Sequence, residues 1–254
     1  MRLETLAIHA GNIITDSHQP AVQPITTSTT FVHHEGSVIY SRANNPNRMA
    51  LENVLAKLEH GEDAAAFSSG NAAALAVFQA LEPGSHIIAP DDMYHGIHRQ
   101  LVEILKGIVE VSFVDLADLE MVRAAIKPNT KLLWIETPSN PLLKITDIRA
   151  LVAIGKEIGA KVACDNTFAT PVFQNPILLG ADIVMHSTTK YLGGHSDILG
   201  GAVILYDGEL AEKIKFLQFA VGAVSSAFDA WLTHRSLKTL ALRMRQHAEN
   251  AQQI

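Results

Sequence analysis

The stretch DIVMHSTTKYLGGHSDILGG, residues 182–201, combines a short apolar run with a cluster of hydroxyl side chains around a single lysine. Residues 182–186 have the composition of a buried strand, and Ser187, Thr189 and Lys190 follow it directly. A lysine at the carboxyl end of a strand, beside hydroxyls that can bind a phosphate, suits the formation of a Schiff base with a carbonyl compound. The alternative for this stretch alone is a solvated lysine in a Ser/Thr turn.

On both sides of this stretch, short apolar runs typical of strands alternate with segments that have a helical apolar period. Strands are predicted at residues 64–67, 85–89, 109–114, 131–136, 161–165, 182–186 and 202–206. Helices are predicted at residues 49–58, 72–81, 94–106, 116–126, 146–158 and 208–219, the fifth of them with Thr146 as its N-cap, and one long helix is predicted from residue 226 to the end. This alternation predicts an α/β fold with a mainly parallel sheet flanked by helices.

Polar residues follow several of the predicted strands, where a parallel sheet binds its ligands. Ser69 and Gly70 lie between a strand and a helix start, which favours anion binding through backbone amides and the helix dipole. Asp165 ends the apolar run KVACD, so we expect it to face a cation or a protonated ring nitrogen. The alternatives are a capping role for Asp165 and a turn-forming role for Asn140 between two prolines.

Composition excludes several classes of protein. The 254 residues are 48% hydrophobic and carry a formal net charge of -6, so neither disorder nor an electrostatic surface for nucleic acid is expected. No apolar run reaches the length of a membrane span or of a signal-peptide core, and the single cysteine excludes an internal disulfide. These features predict a cytoplasmic protein whose partners are a small molecule and further copies of itself.

Other enzyme classes lack their characteristic patterns in this chain. The G-x-S-x-G motif of one hydrolase class is missing. The 12 histidines do not form a ligand set such as H-E-x-x-H, so no metal site is predicted.

Six segments, in this order along nearly the whole chain, resemble the Cys/Met-metabolism family of pyridoxal-phosphate enzymes, which includes cystathionine γ-synthase and γ-lyase. They are YSRANNPNR (40–48), SSGNAA (68–73), ETPSNPLL (136–143), DNTFATP (165–171), HSTTKYLGGHSD (186–197) and FDAWLTHRSLKTLALRM (228–244). The resemblance implies the large domain of a fold type I transferase that depends on pyridoxal 5'-phosphate (PLP).

The resemblance also implies roles for individual residues. Catalytic roles are implied for Lys190, which bonds covalently to PLP, for Asp165, which pairs with the pyridinium nitrogen, and for Tyr94, which stacks on the ring. Asn140 matches the asparagine near the ring hydroxyl. The implied phosphate contacts are the backbone at Ser69, Gly70 and Asn71 and the hydroxyls of Ser187 and Thr189.

Tyr40 and Arg42 match residues that reach the phosphate of a neighbouring subunit, which implies a homodimer unit that usually pairs into a homotetramer. From the residues alone, the alternative for Arg42 is a surface arginine in a loop. The predicted domains are an extended N-terminal arm (1–52), the PLP-binding large domain (53–235) and the start of a C-terminal domain (236–254). Because the last predicted helix has no stop signal, the chain is expected to end within an element, with the rest of that domain absent.

The implied activity is γ-replacement or γ-elimination on a small amino-acid substrate, either cystathionine or an O-acylhomoserine. Related activities, O-acylhomoserine sulfhydrylase and methionine γ-lyase, remain alternatives. An alternative from another class is a scaffold that binds PLP without catalysis.

Overall fold

The computed structural model describes residues 1–12, 20–33 and 38–254. The strands of its sheet are β1 (Asp63–Phe67), β2 (His86–Pro90), β3 (Glu110–Val114), β4 (Thr130–Glu136), β5 (Lys161–Asp165), β6 (Ile183–His186) and β7 (Gly201–Leu205). Their spatial order is β1-β7-β6-β5-β4-β2-β3. Strands β3, β2, β4, β5 and β6 pair in parallel, while β7 runs antiparallel to both of its neighbours. The predicted mainly parallel α/β sheet is therefore confirmed.

Helices cover both faces of this sheet. They are α1 (Leu3–His9), α2 (Pro46–Leu58), α3 (Gly70–Gln79), α4 (His95–Arg99), α5 (Leu119–Ala124), α6 (Ile148–Ile158), α7 (Thr170–Phe173), α8 (Gly208–Val221), α9 (Ala227–Leu237) and α10 (Leu240–Gln253). Helix α4 continues into a π-helical turn, Gln100–Ile104, and a short 3₁₀ turn spans Ile177–Leu179.

Side chains that accept backbone N–H bonds mark where many of these helices begin. The caps are Asn45, Ser69, Asp118, Asp147, Asp207 and Ser226. The predicted cap Thr146 was therefore wrong by one residue.

Strand β4 shows how the sheet separates two apolar layers. Leu132 and Trp134 pack in the layer that contains α3, whereas Leu133 and Ile135 pack in the layer that contains α6. All four are buried, as expected of a central strand with helices on both faces. This double burial leaves only the strand ends open to a ligand.

The predicted long C-terminal helix is two helices, α9 and α10. Leu237 and Leu240 lie on either side of the break and are both buried in one apolar cluster with α2. Arg243 donates to the carbonyl of Ser236 at 3.0 Å and to the hydroxyl of Thr239 at 3.0 Å, which satisfies groups that the break exposes. Tertiary packing therefore overrides a helical pattern that is continuous in the sequence.

The region predicted as an extended arm contains α1, whose Ala7 is buried, and the first turns of α2. Residues 13–19 and 34–37 of that arm lie outside the described residues. The predicted domain limits at 52/53 and 235/236 fall inside α2 and α9, and the division into domains stays a prediction. Within the described ranges, no helix has both the length and the apolar character needed to cross a membrane.

Candidate active site

A cavity of about 240 Å³ opens at the carboxyl ends of β1, β4, β5 and β6. All predicted cofactor contacts except Tyr40 and Arg42 line it: Ser69, Gly70, Asn71, Tyr94, Asn140, Asp165, Ser187, Thr189 and Lys190. They come from segments more than 100 residues apart, so the fold gathers what the sequence separates. Further lining residues that were not predicted are Ile97, Glu136, Pro138, Thr167, Phe168, Met185 and Leu199.

One end of the cavity is built from small residues and hydroxyls at the start of α3. The Ser69 hydroxyl accepts the backbone N–H of Ala72 at 3.1 Å and so caps the helix. The hydroxyl of Thr189 bonds with both the N–H and the carbonyl of Gly200, at 3.0 and 3.2 Å. With the Ser187 hydroxyl beside Gly70, this end has the composition of a phosphate site at a helix N-terminus.

Gly70 is required at this end by close packing. A Cβ atom there would lie 2.8 Å from the Cβ of Ser187, so Gly70→Ala must push apart the two walls of the cavity. We expect this change to lower the free energy of unfolding by about 1–3 kcal/mol and to weaken binding of inorganic phosphate. Urea denaturation and phosphate titration would measure both effects.

The matched control for this change is Gly208→Ala. Gly208 is also the first residue of a capped helix, but an added Cβ would contact nothing within 4 Å. Gly208→Ala should therefore leave stability and phosphate binding unchanged. Equal effects of the two substitutions would show that helix propensity, and not the contact with Ser187, is responsible.

Asp165 also lines the cavity, where it terminates β5. Its side chain is buried, and its carboxylate accepts the backbone N–H of Thr167 at 3.0 Å. Burial raises the pKa of Asp165, and the hydrogen bonds from Thr167 oppose that rise. A positively charged ligand atom beside this carboxylate would favour its ionised form and so offset the cost of burying the charge.

Glu136 is a second buried acid of the cavity and is not among the predicted site residues. It ends β4 directly beside Asp165, its register partner on β5. Both of its carboxylate oxygens accept the backbone N–H of Tyr94, at 3.1 and 2.9 Å. Burial, together with the charge of Asp165, raises the pKa of Glu136 to about 8. The missed signal is the run KLLWIE, which ends in an acid as KVACD does.

Glu136 makes the stability of the ligand-free protein depend on pH. Its pKa rises from 4.5 to about 8 on folding, so the folded protein binds more protons than the unfolded chain in that range. Stability is therefore lost as the pH rises through this window. Glu136→Gln removes the ionisation at nearly constant size. We expect Glu136→Gln to be more stable than the wild type by a few kcal/mol at pH 9, and the advantage to vanish near pH 4.

Urea denaturation of both proteins across that pH range would measure the difference. A difference in stability that does not change with pH would contradict the assigned ionisation of Glu136.

Lys190 is exposed to solvent where it enters the cavity. Its backbone lies in a tight turn, with its N–H donating to the carbonyl of Ser187 at 3.2 Å and its carbonyl accepting from Gly194 at 2.7 Å. Tyr94 lines the cavity and is 42% exposed. An amine and an aromatic ring thus face one cavity that has a buried acid at one end.

Tyr40 and Arg42 lie outside this cavity. Arg42 donates to the backbone carbonyl of Phe219 at 2.9 Å. Its guanidinium lies 4.6 Å from the centre of the Phe219 ring and 5.3 Å from the centre of the Tyr40 ring. Their predicted contact with the site of a neighbouring subunit stays a prediction. Across the part of the chain that the structure describes, no group of three or more His, Cys, Asp or Glu side chains could hold a metal ion.

The residues of the cavity fit PLP. The helix N-terminus and the hydroxyls of Ser187 and Thr189 suit its phosphate. Because Gly70 has no Cβ, the backbone at the start of α3 can lie close to Ser187 at this end of the cavity. The buried carboxyl of Asp165 suits a cationic ring nitrogen, and Lys190 suits an aldehyde.

Comparison with known proteins gives consistent matches along the chain. The family model described as Cys/Met metabolism PLP-dependent enzyme matches residues 4–254. The cystathionine gamma-synthase of Mycobacterium tuberculosis is 50% identical over 254 residues, which cover 97% of this chain and 66% of that protein. The cystathionine gamma-lyase of Bacillus subtilis is 46% identical over 261 residues, and the matched region covers 100% of this chain and 68% of that protein. The chain thus spans about two thirds of these curated relatives.

A solved structure shares the fold. The crystal structure of metB from Corynebacterium glutamicum superposes with a TM-score of 0.97 at 45% identity, covering 100% of this chain and 68% of that one. At this similarity the two chains share one fold over the whole length of this chain.

Proposed function

Because the chain belongs to the Cys/Met metabolism family of PLP-dependent enzymes, we propose that it takes part in γ-replacement or γ-elimination on cystathionine or an O-acylhomoserine. The observation that carries this proposal is the convergence of Lys190, Asp165 and a hydroxyl-lined helix N-terminus on one cavity. The chain covers 66% of its synthase relative, so the activity of the whole protein is part of the proposal.

PLP, when bound, supplies an electrophilic aldehyde and a ring that accepts electron density from the substrate. Lys190 would hold the aldehyde through Nζ, and the same amine, when free, would take and carry the proton of the substrate α-carbon. The carboxylate of Asp165 would accept a hydrogen bond from a protonated ring nitrogen. Ser187, Thr189 and the α3 amides would hold the phosphate, and Tyr94 would pack against the ring.

The same residues serve replacement and elimination, so they leave the choice of substrate open. Both reactions need proton removal at the α-carbon and loss of a group from the γ-carbon. Whether a thiol or water then completes the reaction depends on groups that contact the substrate beyond the ring. O-Acylhomoserine sulfhydrylase and methionine γ-lyase activities are the alternatives within this chemistry.

The first experiment is borohydride reduction of the protein loaded with PLP, followed by peptide mapping. A pyridoxyl group on Lys190 is the expected result, because reduction makes the bond between the lysine and the cofactor permanent. A group on another lysine, or none at saturating PLP, would contradict the proposal.

A substrate panel then separates the activities. Release of 2-oxobutyrate and ammonia from cystathionine indicates elimination, and formation of cystathionine from cysteine and O-acylhomoserine indicates replacement. Methionine tests the lyase alternative, and sulfide with O-acylhomoserine tests the sulfhydrylase alternative. A protein that carries PLP on Lys190 but turns over none of these compounds would favour the alternative of a non-catalytic scaffold.

We also propose a homodimer unit, paired into a homotetramer, in which Tyr40 and Arg42 reach the phosphate of the partner's PLP. The position of both residues outside their own cavity supports this proposal. Arg42→Ala and Lys190→Ala subunits, each inactive alone, should regain part of the activity when they are mixed and refolded together. A mixture without activity would contradict the contribution of Arg42 to a neighbouring site.

A further inference from the structure

Glu136 connects the two loops that carry Tyr94 and Asn140. Tyr94 follows β2 and donates its backbone N–H to both carboxylate oxygens of Glu136. Asn140 lies in the loop that begins directly after Glu136 at the end of β4. The side chain of Glu136 therefore holds the backbone of Tyr94 against the loop that carries Asn140, and both of those residues line the cavity.

The loops have a second connection that does not involve Glu136. Asp92 accepts hydrogen bonds from the hydroxyl of Ser139 and from the backbone N–H of Leu142, the latter at 3.0 Å. Loss of Glu136 should therefore alter the local position of Tyr94 and leave the fold intact.

The surroundings of Glu136 favour its neutral form. It is buried, and the acids that face it are Asp165 on β5 and Asp92 in the loop after β2. The amine of Lys190 and the ring of Tyr94 share its cavity, and the backbone N–H of Tyr94, which donates to the carboxylate, opposes the effect of burial. Two carboxyl groups side by side in an enclosed site do not both ionise readily.

We infer that Glu136 is a positioning residue of the cofactor site, which holds Tyr94 in place through its backbone N–H. This inference rests on the proposed use of PLP in the cavity. A glutamine resembles the neutral acid, because its amide oxygen can accept the same N–H group. An alanine leaves this N–H group without its acceptor.

The test compares PLP affinity, measured by absorbance titration at pH 7, in the wild type, Glu136→Gln and Glu136→Ala. We expect Glu136→Ala to bind PLP at least about tenfold more weakly, and Glu136→Gln to stay within about threefold of the wild type. The control is Asp182→Ala, which removes a carboxylate that accepts the N–H of Val162 at 2.8 Å outside the cavity. This control should bind PLP normally.

A second measurement follows the acid itself without PLP or turnover. Protein labelled with ¹³C at the glutamate carboxyl should show one resonance, absent from Glu136→Gln, that titrates near pH 8. A midpoint below about pH 5 would overturn the neutral form. Should Glu136→Ala fail to fold, a loss of PLP affinity of tenfold or more in Glu136→Gln would overturn the inference, since the amide keeps the acceptor.

The outcomes separate this inference from the proposed function. A wild type that does not bind PLP contradicts the proposed function. A wild type and a folded Glu136→Ala that bind PLP equally well leave the proposed function standing and overturn the role of Glu136.

Discussion

Replacement of Lys190 by alanine is expected to abolish covalent attachment of PLP and to lower kcat by about 10³-fold or more. The amine of Lys190 performs two tasks in the proposed reaction, since it bonds to the cofactor and then carries the substrate proton. The phosphate site and Asp165 remain in this variant, so PLP should still bind, but only reversibly. Borohydride reduction should leave no pyridoxyl group on the protein, and dialysis should remove the bound cofactor.

Lys213→Ala is the matched control for this variant. Lys213 is a surface lysine that pairs with Glu82 at 3.0 Å and does not line the cavity. It should keep both the pyridoxyl adduct and the activity of the wild type. A Lys190→Ala protein that still gave a reduced adduct at one specific lysine would contradict the role of Lys190.

Asp165→Asn is expected to lower activity by about 100-fold while the ligand-free protein becomes more stable. Asparagine cannot keep a proton on the ring nitrogen as a carboxylate does, so the electron-accepting property of the ring is weakened. In the ligand-free protein, burial raises the pKa of Asp165, which means that its ionised form costs stability at neutral pH. The amide avoids that cost.

A loss of activity together with a gain in stability distinguishes this prediction from simple damage to the fold. Urea denaturation without PLP should show a stability gain that grows as the pH rises above the usual pKa of an aspartate, and steady-state kinetics should show the loss of activity. Because the charge of Asp165 also raises the pKa of Glu136, the variant should titrate Glu136 at lower pH. An Asp165→Asn protein that loses both activity and stability would contradict the prediction that the ionised carboxylate lowers the stability of the ligand-free protein.

The sequence predicted the parts of this molecule that depend on local chemistry. Apolar runs and the polar residues after them located the strands, and Lys190 and Asp165 were assigned because each ends or follows such a run. The break between α9 and α10 could not be predicted, since the helical pattern continues through it and only the packing of Leu237 and Leu240 divides it. Glu136 was missed because its importance comes from a neighbour on another strand.

The place of β7 in the sheet separates two strand ends that border the cavity. Since β7 lies between β1 and β6, the carboxyl ends of those two strands stand two interstrand spacings apart, roughly 10 Å. Because β7 runs antiparallel to both, its amino end fills the interval with Gly200 and Gly201, where an added Cβ at Gly201 would lie 2.1 Å from the carbonyl oxygen of Ser69. Strand order and strand direction together thus leave a slot with a floor of backbone at the proposed phosphate site.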